Sequence, residues 1–306
     1  MGHDTGGDRR RVLLLGANGQ VGWELRHALA PLGELTAPDR STLDLANLDA
    51  VRRTVDRVSP AIIVNAAAYT QVDRAEAEPA LAQLTNADAP AVLARAAAES
   101  GALLIHYSTD YVFDGAASRP YREHDAPNPI NAYGRSKWDG DRAVLASGAN
   151  AYIFRIGWVY GMRGRNFLRT VQRLVAEGKP LRIVSDQWGA PTWSRAIANA
   201  TASAIDRVLG AGSAAAPPRG VYHMSAPDHT TWAGFARAIV EETMPTASRP
   251  RIDEITTAEF LTPATRPRWS VLASRQLGID FGVRLPPWRA QLAACVATTA
   301  SGGVDG

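Results

Sequence analysis

Cysteine is almost absent from this sequence of 306 residues, in which Cys295 is the only one. A single cysteine excludes an intramolecular disulfide and any metal site built from several cysteines. Cys295 lies in the apolar stretch 292–296, where we expect a buried, unreactive thiol. The six histidines include no helical pair with the His-Glu-x-x-His spacing of zinc hydrolases, so the sequence argues against metal catalysis.

Long apolar runs and blocks of one charge are also missing. No segment approaches the roughly 20 apolar residues that span a bilayer, and the first ten residues are polar, without the apolar run of a secretory signal. The 33 basic and 30 acidic residues give a net charge of only +3. The cluster at 9–11, three arginines, is interpreted as the solvated edge of a terminal tail. We therefore expect a protein of the reducing cytoplasm that binds neither nucleic acid nor membrane.

The first half of the chain alternates short apolar runs with helical patterns, within an ordinary globular composition of 46% hydrophobic and 21% charged residues. Apolar runs separated by helices indicate βαβ units and a parallel sheet that is covered on both faces. We predict an α/β fold with a Rossmann-like, doubly wound parallel sheet. The predicted strands are 12–15, 34–37, 61–64, 103–107 and 152–156, and the predicted helices are 21–30, 48–58, 80–100 and 133–145.

The alternation of strand and helix patterns becomes less regular beyond about residue 160. Loops are predicted at 161–166 and 185–192, a helix at 167–178, and an exposed connection at 212–220, which is rich in Ala, Pro and Gly. We interpret this half as a smaller C-terminal α/β lobe that binds substrate. The predicted organisation is a dinucleotide-binding domain at 10–160, to which some later segments return, a substrate lobe at 161–300, and flexible tails at 1–9 and 301–306.

The segment from Val12 to Gly22 predicts a strand, a glycine loop and the start of a helix. Gly16 permits the tight turn, Gly19 lets backbone N–H groups approach a pyrophosphate, and Gly22 lets the helix pack on the strand. The helix N-terminus adds unpaired N–H groups and a favourable dipole. Asp39 follows at about the expected 20-residue distance, after a second strand. This combination predicts a nicotinamide dinucleotide site.

The form of the cofactor is left open by two neighbouring residues. Asp39 favours NAD, because its carboxylate would accept hydrogen bonds from the adenosine ribose, whereas Arg40 would pair with the 2′-phosphate of NADP. Asp44 and Leu45 are expected beside the adenine. We predict NADPH as cofactor, with NADH as an alternative.

A catalytic set is predicted from three polar residues that follow the glycine loop in order. Tyr133 and Lys137 are four apart on a predicted helix and therefore share one face. A ketone reduction needs a proton donor, and an ammonium beside a phenol is expected to lower its pKa from about 10 toward the working range. Thr109 follows the fourth strand, at the sheet edge where ligands bind, and its hydroxyl would hold the substrate carbonyl oxygen.

Over residues 11–297 the sequence resembles the dTDP-4-dehydrorhamnose reductase family of extended short-chain dehydrogenases. The segments that carry the resemblance are Gly19-Gln-Val-Gly22-Trp-Glu-Leu, Asn65-Ala-Ala-Ala-Tyr-Thr-Gln-Val-Asp73-Arg-Ala-Glu76, Tyr107-Ser-Thr-Asp-Tyr-Val-Phe-Asp-Gly115, Trp158-Val-Tyr-Gly161, Asp186-Gln-Trp-Gly-Ala-Pro-Thr192 and Thr262-Pro-Ala-Thr-Arg-Pro267.

The resemblance implies NAD(P)H-dependent reduction of the C4 keto group of dTDP-4-dehydro-L-rhamnose to dTDP-L-rhamnose, in nucleotide-sugar biosynthesis. It implies that Thr109, Tyr133 and Lys137 carry the reduction. The implied cofactor-lining residues are Gly19, Gln20, Val21, Asp39, Asp44, Leu45, Ala68, Tyr69, Thr70 and Tyr107. The implied substrate contacts are Asp110, Trp158 through its flat indole face, and Arg266 toward the diphosphate.

Several of these positions also allow a purely structural interpretation. Trp158 could be a core tryptophan, Arg266 could pair with a surface carboxylate, and Asn166 could bind substrate or cap the helix that follows it. Family members dimerise through Mg²⁺ held by glutamates, and Glu24 matches one such position. Because Arg195 and its neighbours stand where another carboxylate is needed, metal-bridged dimerisation is in doubt, and both a monomer and a homodimer stay open.

Besides a reductase of another nucleotide-linked 4-keto sugar, three other functions compete with this interpretation. Sugar-nucleotide dehydratases place an acid directly after the Thr-Asp pair, where this chain has Tyr111, a poor base at neutral pH. Epimerases use the same Thr, Tyr and Lys with a retained NAD and are excluded less firmly. A non-catalytic, NAD(P)-binding regulatory subunit would need only the glycine loop, so the complete catalytic set argues against it.

Overall fold

The computed structural model describes residues 10–211 and 216–301. The predicted tail at 1–9, most of the tail at 301–306 and part of the connection at 212–220 lie outside the described residues. The strands are β1 (Arg11–Leu15), β2 (Glu34–Thr36), β3 (Ile62–Asn65), β4 (Leu103–Thr109), β5 (Asn150–Ile156), β6 (Val159–Tyr160), β7 (Leu181–Val184), β8 (Trp188–Gly189), β9 (Thr192–Trp193), β10 (Gly220–His223), β11 (Thr230–Thr231) and β12 (Ile252–Ile255). The helices are α1 (Gln20–Leu29), α2 (Leu48–Val58), α3 (Val72–Ala77), α4 (Pro79–Gln83), α5 (Ala89–Ser100), α6 (Ala132–Ala146), α7 (Phe167–Ala176), α8 (Ser194–Gly210), α9 (Trp232–Thr243), α10 (Arg275–Phe281) and α11 (Trp288–Ser301).

A six-stranded parallel sheet in the order β10-β5-β4-β3-β1-β2 forms the centre of the molecule. Alternate residues of each strand face opposite layers. Val12 and Leu14 belong to a core shared with α1 and α8, while Leu13 and Leu15 belong to a second core shared with α2 and α5. Burial on both faces explains the continuous apolar runs and confirms the predicted Rossmann-like, doubly wound fold. The strand β10 joins this sheet beside β5, although it lies far along the chain.

The predicted helix at 80–100 is present as continuous helical backbone over 79–100, with one irregularity that the prediction missed. A π-helical stretch, Leu84–Asp88, separates α4 from α5. Within it the Asn86 side chain accepts from Tyr69 N (2.8 Å) and donates to Tyr69 O (3.0 Å) and to Ser136 Oγ (3.0 Å). Such bulges cluster at functional sites. Here the bulge turns a buried amide toward the loop after β3, which amphipathic periodicity does not reveal.

The smaller lobe has its own apolar core, formed by α7, β7, α9 and α11 around Phe235, Trp288 and Cys295. It also contains three two-stranded sheets, β7 with β12, β8 with β11, and β6 with β9. The strands β8 and β9 fall inside the predicted loop at 185–192 or at its end. Each is two residues long, so neither carries a recognisable period. No helix in the described part of the chain is both long and apolar enough to cross a membrane.

Candidate active site

The glycine loop between β1 and α1 is built so tightly that side chains do not fit. Gly16 has φ +79°, and a Cβ there would lie 2.5 Å from Ala67 N. A Cβ on Gly22 would lie 2.0 Å from Gly16 O. Gly19 caps α1 without a side-chain hydrogen bond, so no capping side chain covers the first-turn N–H groups, including those of Gln20 and Val21. The loop fits the pyrophosphate of a dinucleotide.

The turn after β2 is organised by Asp39. Its Oδ1 accepts from Ser41 Oγ (2.6 Å), Thr42 N (2.9 Å) and Thr42 Oγ1 (3.0 Å), and these hydrogen bonds, chiefly that from Ser41, hold the pKa of Asp39 below its usual value. Arg40 lies 3.4 Å from Asp44 in an exposed pair. Such a pair contributes little and leaves Arg40 available for a phosphate. Leu45 is buried, and an open pocket of 640 Å³ beside it is lined by Asp44, Ala46, Asn47, Leu48, Asp49 and Leu84.

The loop after β3 brings Ala68, Tyr69 and Thr70 to the same edge of the sheet, with Thr70 exposed. Asn86 fixes the backbone of Tyr69, whose phenol donates to Glu78 (2.5 Å). Tyr107 differs, because its ring is buried in the core and its hydroxyl bonds Thr201 Oγ1 (2.5 Å). The Tyr107 carbonyl, rather than the ring, faces α6, where it accepts from Lys137.

Thr109, Tyr133 and Lys137 meet where β4 ends against the start of α6. The Asn131 side chain caps α6 by accepting from Gly134 N (2.7 Å). A Cβ on Gly134 would lie 2.2 Å from Tyr111 O, so the helix start packs directly on the turn after Thr109. Lys137 is buried and donates to Tyr107 O (2.6 Å), with His106 Nε2 3.4 Å away.

The electrostatics of this cluster differ from the prediction. Burial raises the pKa of Tyr133 to about 12, and a side-chain hydrogen bond with Thr109 opposes that rise. The predicted net fall of the Tyr133 pKa is therefore wrong, since desolvation outweighs the influences that lower it. Burial also lowers the pKa of Lys137 to about 8, against the attraction of the Asp141 carboxylate. A protonated phenol beside a hydroxyl and an amine suits proton donation to a ketone oxygen.

Asp110 and Trp158 lie beside this cluster. Thr109 Oγ1 donates to Asp110 Oδ1 (3.0 Å), and burial raises the pKa of Asp110 to about 6. Trp158 has φ +49°, a conformation that non-glycine residues rarely adopt. Its indole donates to Ser270 Oγ (3.1 Å) and stacks on Trp232 with ring centroids 3.5 Å apart.

The predicted flat contact between Trp158 and a sugar ring needs correction. Trp232 covers one face of the indole, and a Cβ on Gly189 would lie 2.1 Å from two atoms of its pyrrole ring. Because Trp232 and Gly189 pack on the faces of the ring, the edge of the partly exposed indole is what a ligand can contact.

Asn166 and Arg266 both have protein partners. Asn166 caps α7 by accepting from Arg169 N (3.1 Å), and its amide also donates to Gln20 Oε1 (2.9 Å) on α1. Arg266 pairs with Asp73 (2.7 Å) in a partly buried setting, so the carboxylate pairing envisaged for it is present. A diphosphate ligand would have to share or displace Asp73.

Glu24 pairs with Arg195 (2.8 Å), so a positive charge stands beside the carboxylate that matched a metal-binding position. Among the described residues there is no group of three or more His, Cys, Asp and Glu side chains arranged to hold a metal ion.

A family model described as the RmlD substrate binding domain matches residues 10–301. The chain belongs to this RmlD family. It is 46% identical over 291 residues to a dTDP-4-dehydrorhamnose reductase of Burkholderia thailandensis, covering 94% of this chain and 98% of the relative. It is 43% identical to the enzyme of that name from Escherichia coli K12, covering 91% and 94%. A crystal structure of the Bacillus anthracis dTDP-4-dehydrorhamnose reductase in complex with NADP superposes with a TM-score of 0.85 at 33% identity, covering 95% of this chain and 99% of that one.

This RmlD-family site also contains residues that sequence reasoning missed. Asn65 Nδ2 lies 3.2 Å from His106 Nδ1, and both are buried behind Lys137. Trp232 and Gly189 hold Trp158, and Asp73 holds Arg266. Asp73 stood inside a recognised segment, yet its partner is 193 positions away. A local pattern carries no signal for such a pairing.

Proposed function

We propose that this chain is a dTDP-4-dehydrorhamnose reductase, which reduces the C4 keto group of dTDP-4-dehydro-L-rhamnose to dTDP-L-rhamnose. The proposal rests on the arrangement of Thr109, Tyr133 and Lys137 around the end of β4, at the edge of the parallel sheet where the glycine loop after β1 also lies. Relatives of that name match more than nine-tenths of the chain.

NADPH is the proposed cofactor, with NADH as the alternative. The related B. anthracis enzyme was crystallised in complex with NADP. Arg40 supports the same choice because its exposed pair with Asp44 is weak enough to be exchanged for a 2′-phosphate. Asp39 would contact the ribose, although Ser41 and Thr42 already donate to its Oδ1.

In the proposed mechanism Tyr133 is the proton donor. With its pKa raised to about 12, the phenol is protonated at neutral pH and can transfer its proton to the ketone oxygen. When bound, the reduced nicotinamide supplies the hydride that C4 receives. Lys137, in its charged form, favours the phenolate that Tyr133 becomes.

Thr109 is the proposed second donor to the ketone oxygen. Its hydroxyl now donates to Asp110, so it must turn toward the substrate to act. Protonation of Asp110 would release it, because a protonated carboxyl group accepts a hydrogen bond less strongly. Both hydroxyl groups then point at the oxygen on which charge develops.

We assign the sugar to the space beside Asp110 and the edge of Trp158. We assign Arg266 to the diphosphate, since a guanidinium binds phosphate oxygens in a bidentate manner. Asn166 connects the central sheet with the smaller lobe, because it caps α7 of that lobe and donates to Gln20, the first residue of α1.

The test is to follow the loss of reduced cofactor with dTDP-4-dehydro-L-rhamnose generated in the assay, first with NADPH and then with NADH. Stoichiometric oxidation with dTDP-L-rhamnose as product supports the proposal, and the ratio of the two rates measures the balance between Arg40 and Asp39. If a protein that binds the cofactor oxidises neither form, the reductase proposal fails. Interconversion of sugars without net oxidation would instead indicate an epimerase.

A further inference from the structure

A pair of opposite charges is buried between α6, the helix that carries Tyr133 and Lys137, and the strand β5. Arg155 Nε on β5 lies 3.2 Å from Asp141 Oδ2 on α6, and their side chains are 2% and 0% exposed. Taking two such groups out of water is costly, and a buried ion pair often contributes no net stability. Its presence in this core therefore calls for a role besides folding.

Asp141 stands one helical turn after Lys137, which stands one turn after Tyr133. Residues four apart lie on the same helix face, with Cβ atoms about 6 Å apart. Lys137 is itself 2% exposed, so water screens little of the interaction between its amine and the Asp141 carboxylate. The phenol, the amine and the carboxylate thus form one stripe along α6.

Among the groups that face Lys137, Asp141 is the one that can supply a negative charge. From β4, His106 and the Tyr107 carbonyl approach the amine. Burial, followed by the charge of Lys137, lowers the pKa of His106 well below its usual value, so its ring stays neutral. Tyr133, on the same helix, is protonated at neutral pH.

Arg155 is held in a site built for a cation. Its guanidinium carbon lies 5.3 Å from the ring centre of Phe113 and 5.6 Å from that of Trp138. His223, on β10, is kept neutral because burial lowers its pKa to about 3, and Glu123 lies behind it, accepting from His223 N (3.1 Å). Burial raises the pKa of Asp141, and the charge of the Arg155 guanidinium is the largest influence that opposes this rise and favours the ionised carboxylate.

We propose that Asp141, held ionised by Arg155, is a positioning residue that keeps the Lys137 side chain in its charged form during catalysis. The carboxylate acts through Lys137 and touches neither ketone nor cofactor. The effect of Asp141 on the charge of Lys137 is independent of the proposed reductase function. Only its consequence for catalysis rests on that function.

The consequence is a pH dependence with a definite direction. The Lys137 ammonium is present below its pKa and lost as the pH rises through it. Removing the Asp141 charge lowers that pKa, because desolvation is then unopposed and Arg155 is left as a nearby positive charge. The alkaline limb of the kcat profile should therefore move to lower pH.

The sequence offers a direct way to measure this effect, because Lys137 and Lys179 are its only lysines. With lysine labelled by ¹³C at Cε, an NMR titration of the full chain should show two signals. Lys179 is 58% exposed and serves as an internal reference. In Asp141→Asn the Lys137 pKa should fall by about one unit or more, as expected for a charge one helical turn away, while Lys179 is unchanged. The alkaline limb of kcat should move by the same amount.

Two further variants guard against misfolding and a merely structural effect. Asp141→Glu keeps the carboxylate and should retain the wild-type pKa of Lys137. The double variant Asp141→Asn with Arg155→Met removes both charges, which cores tolerate better than one, and should shift the Lys137 pKa in the same direction by less. An unchanged Lys137 pKa in a folded Asp141→Asn or double variant would overturn the proposal. A shifted pKa without any reductase activity in the wild type would instead count against the proposed function alone.

Discussion

The central sheet and the smaller lobe use the chain in different ways. In the sheet, β1, α1 and the glycine loop between them come from twenty consecutive residues or fewer, and five of its six strands lie before residue 157. In the smaller lobe, β7 pairs with β12 and β8 with β11 across tens of residues. The proposed cofactor side of the site is therefore formed by local segments, and the proposed substrate side by distant ones.

This difference predicts which constants each region controls. Residues of the sheet edge should govern turnover and cofactor affinity, whereas residues of the smaller lobe should govern the KM for the sugar nucleotide. Substitutions in one region that changed cofactor affinity, turnover and the KM for the sugar nucleotide equally would show that the two regions do not have separate roles.

The largest effect is expected for Tyr133→Phe. It removes the proton donor but keeps the ring, so kcat should fall about 100-fold or more, with nearly unchanged cofactor affinity. Tyr152→Phe is a matched control, since its hydroxyl donates only to Pro217 O (2.8 Å), away from the site. A Tyr133→Phe enzyme that kept more than about a hundredth of the wild-type rate would contradict the assignment.

Next in size is Gly22→Ala in the glycine loop. The added Cβ would lie 2.0 Å from Gly16 O, so loop and helix must separate, and cofactor affinity should fall by at least one order of magnitude. Calorimetric titration with NADP measures the loss. Gly210→Ala serves as the control because a Cβ there meets nothing within 4 Å. Normal NADP binding by a folded Gly22→Ala protein would argue against the pyrophosphate site.

Arg266→Met should affect the binding of the sugar nucleotide rather than that of the cofactor. Losing one charged phosphate contact is expected to raise the KM for the sugar nucleotide about tenfold or more, with kcat and the KM for NADPH within a factor of two or so. Initial rates at varied concentrations of each substrate separate these constants. The control is Arg251→Met, whose side chain is 91% exposed. If the KM for the sugar nucleotide stays constant, Arg266 serves only to hold Asp73.

The smallest effect is expected for Asn166→Asp, at the contact between the central sheet region and the smaller lobe. An aspartate still caps α7 by accepting from Arg169 N, but it cannot donate to Gln20 Oε1, Gly161 O and Arg163 O as Asn166 does. Some thermal stability should be lost with the two carbonyl contacts, and NADPH affinity should drop a few-fold, as for the one hydrogen bond lost to Gln20. Unchanged affinity would mean that Asn166 is a helix cap and no more.

The contrast between the regions also explains what the sequence could predict. The strand-loop-helix unit at Gly16 and the Tyr133–Lys137 spacing are local, and the fold class predicted from such units is confirmed. The roles of individual site residues stay predictions. The Asn86 bulge, the packing of Trp158 against Trp232 and the partner of Arg266 depend on contacts between distant positions. Periodicity and motifs carry no information about such contacts, and only the folded chain reveals them.

The central claim is net hydride transfer to C4 of the sugar, and isotope transfer tests it most directly. Wild-type protein would be incubated with dTDP-4-dehydro-L-rhamnose and NADPH carrying deuterium at the transferable C4 position of the nicotinamide, and the product examined by NMR and mass spectrometry. We expect one deuterium at C4 of dTDP-L-rhamnose for each NADPH oxidised, and almost none with Tyr133→Phe. Sugar product without deuterium, or deuterated cofactor that is never consumed, would contradict it.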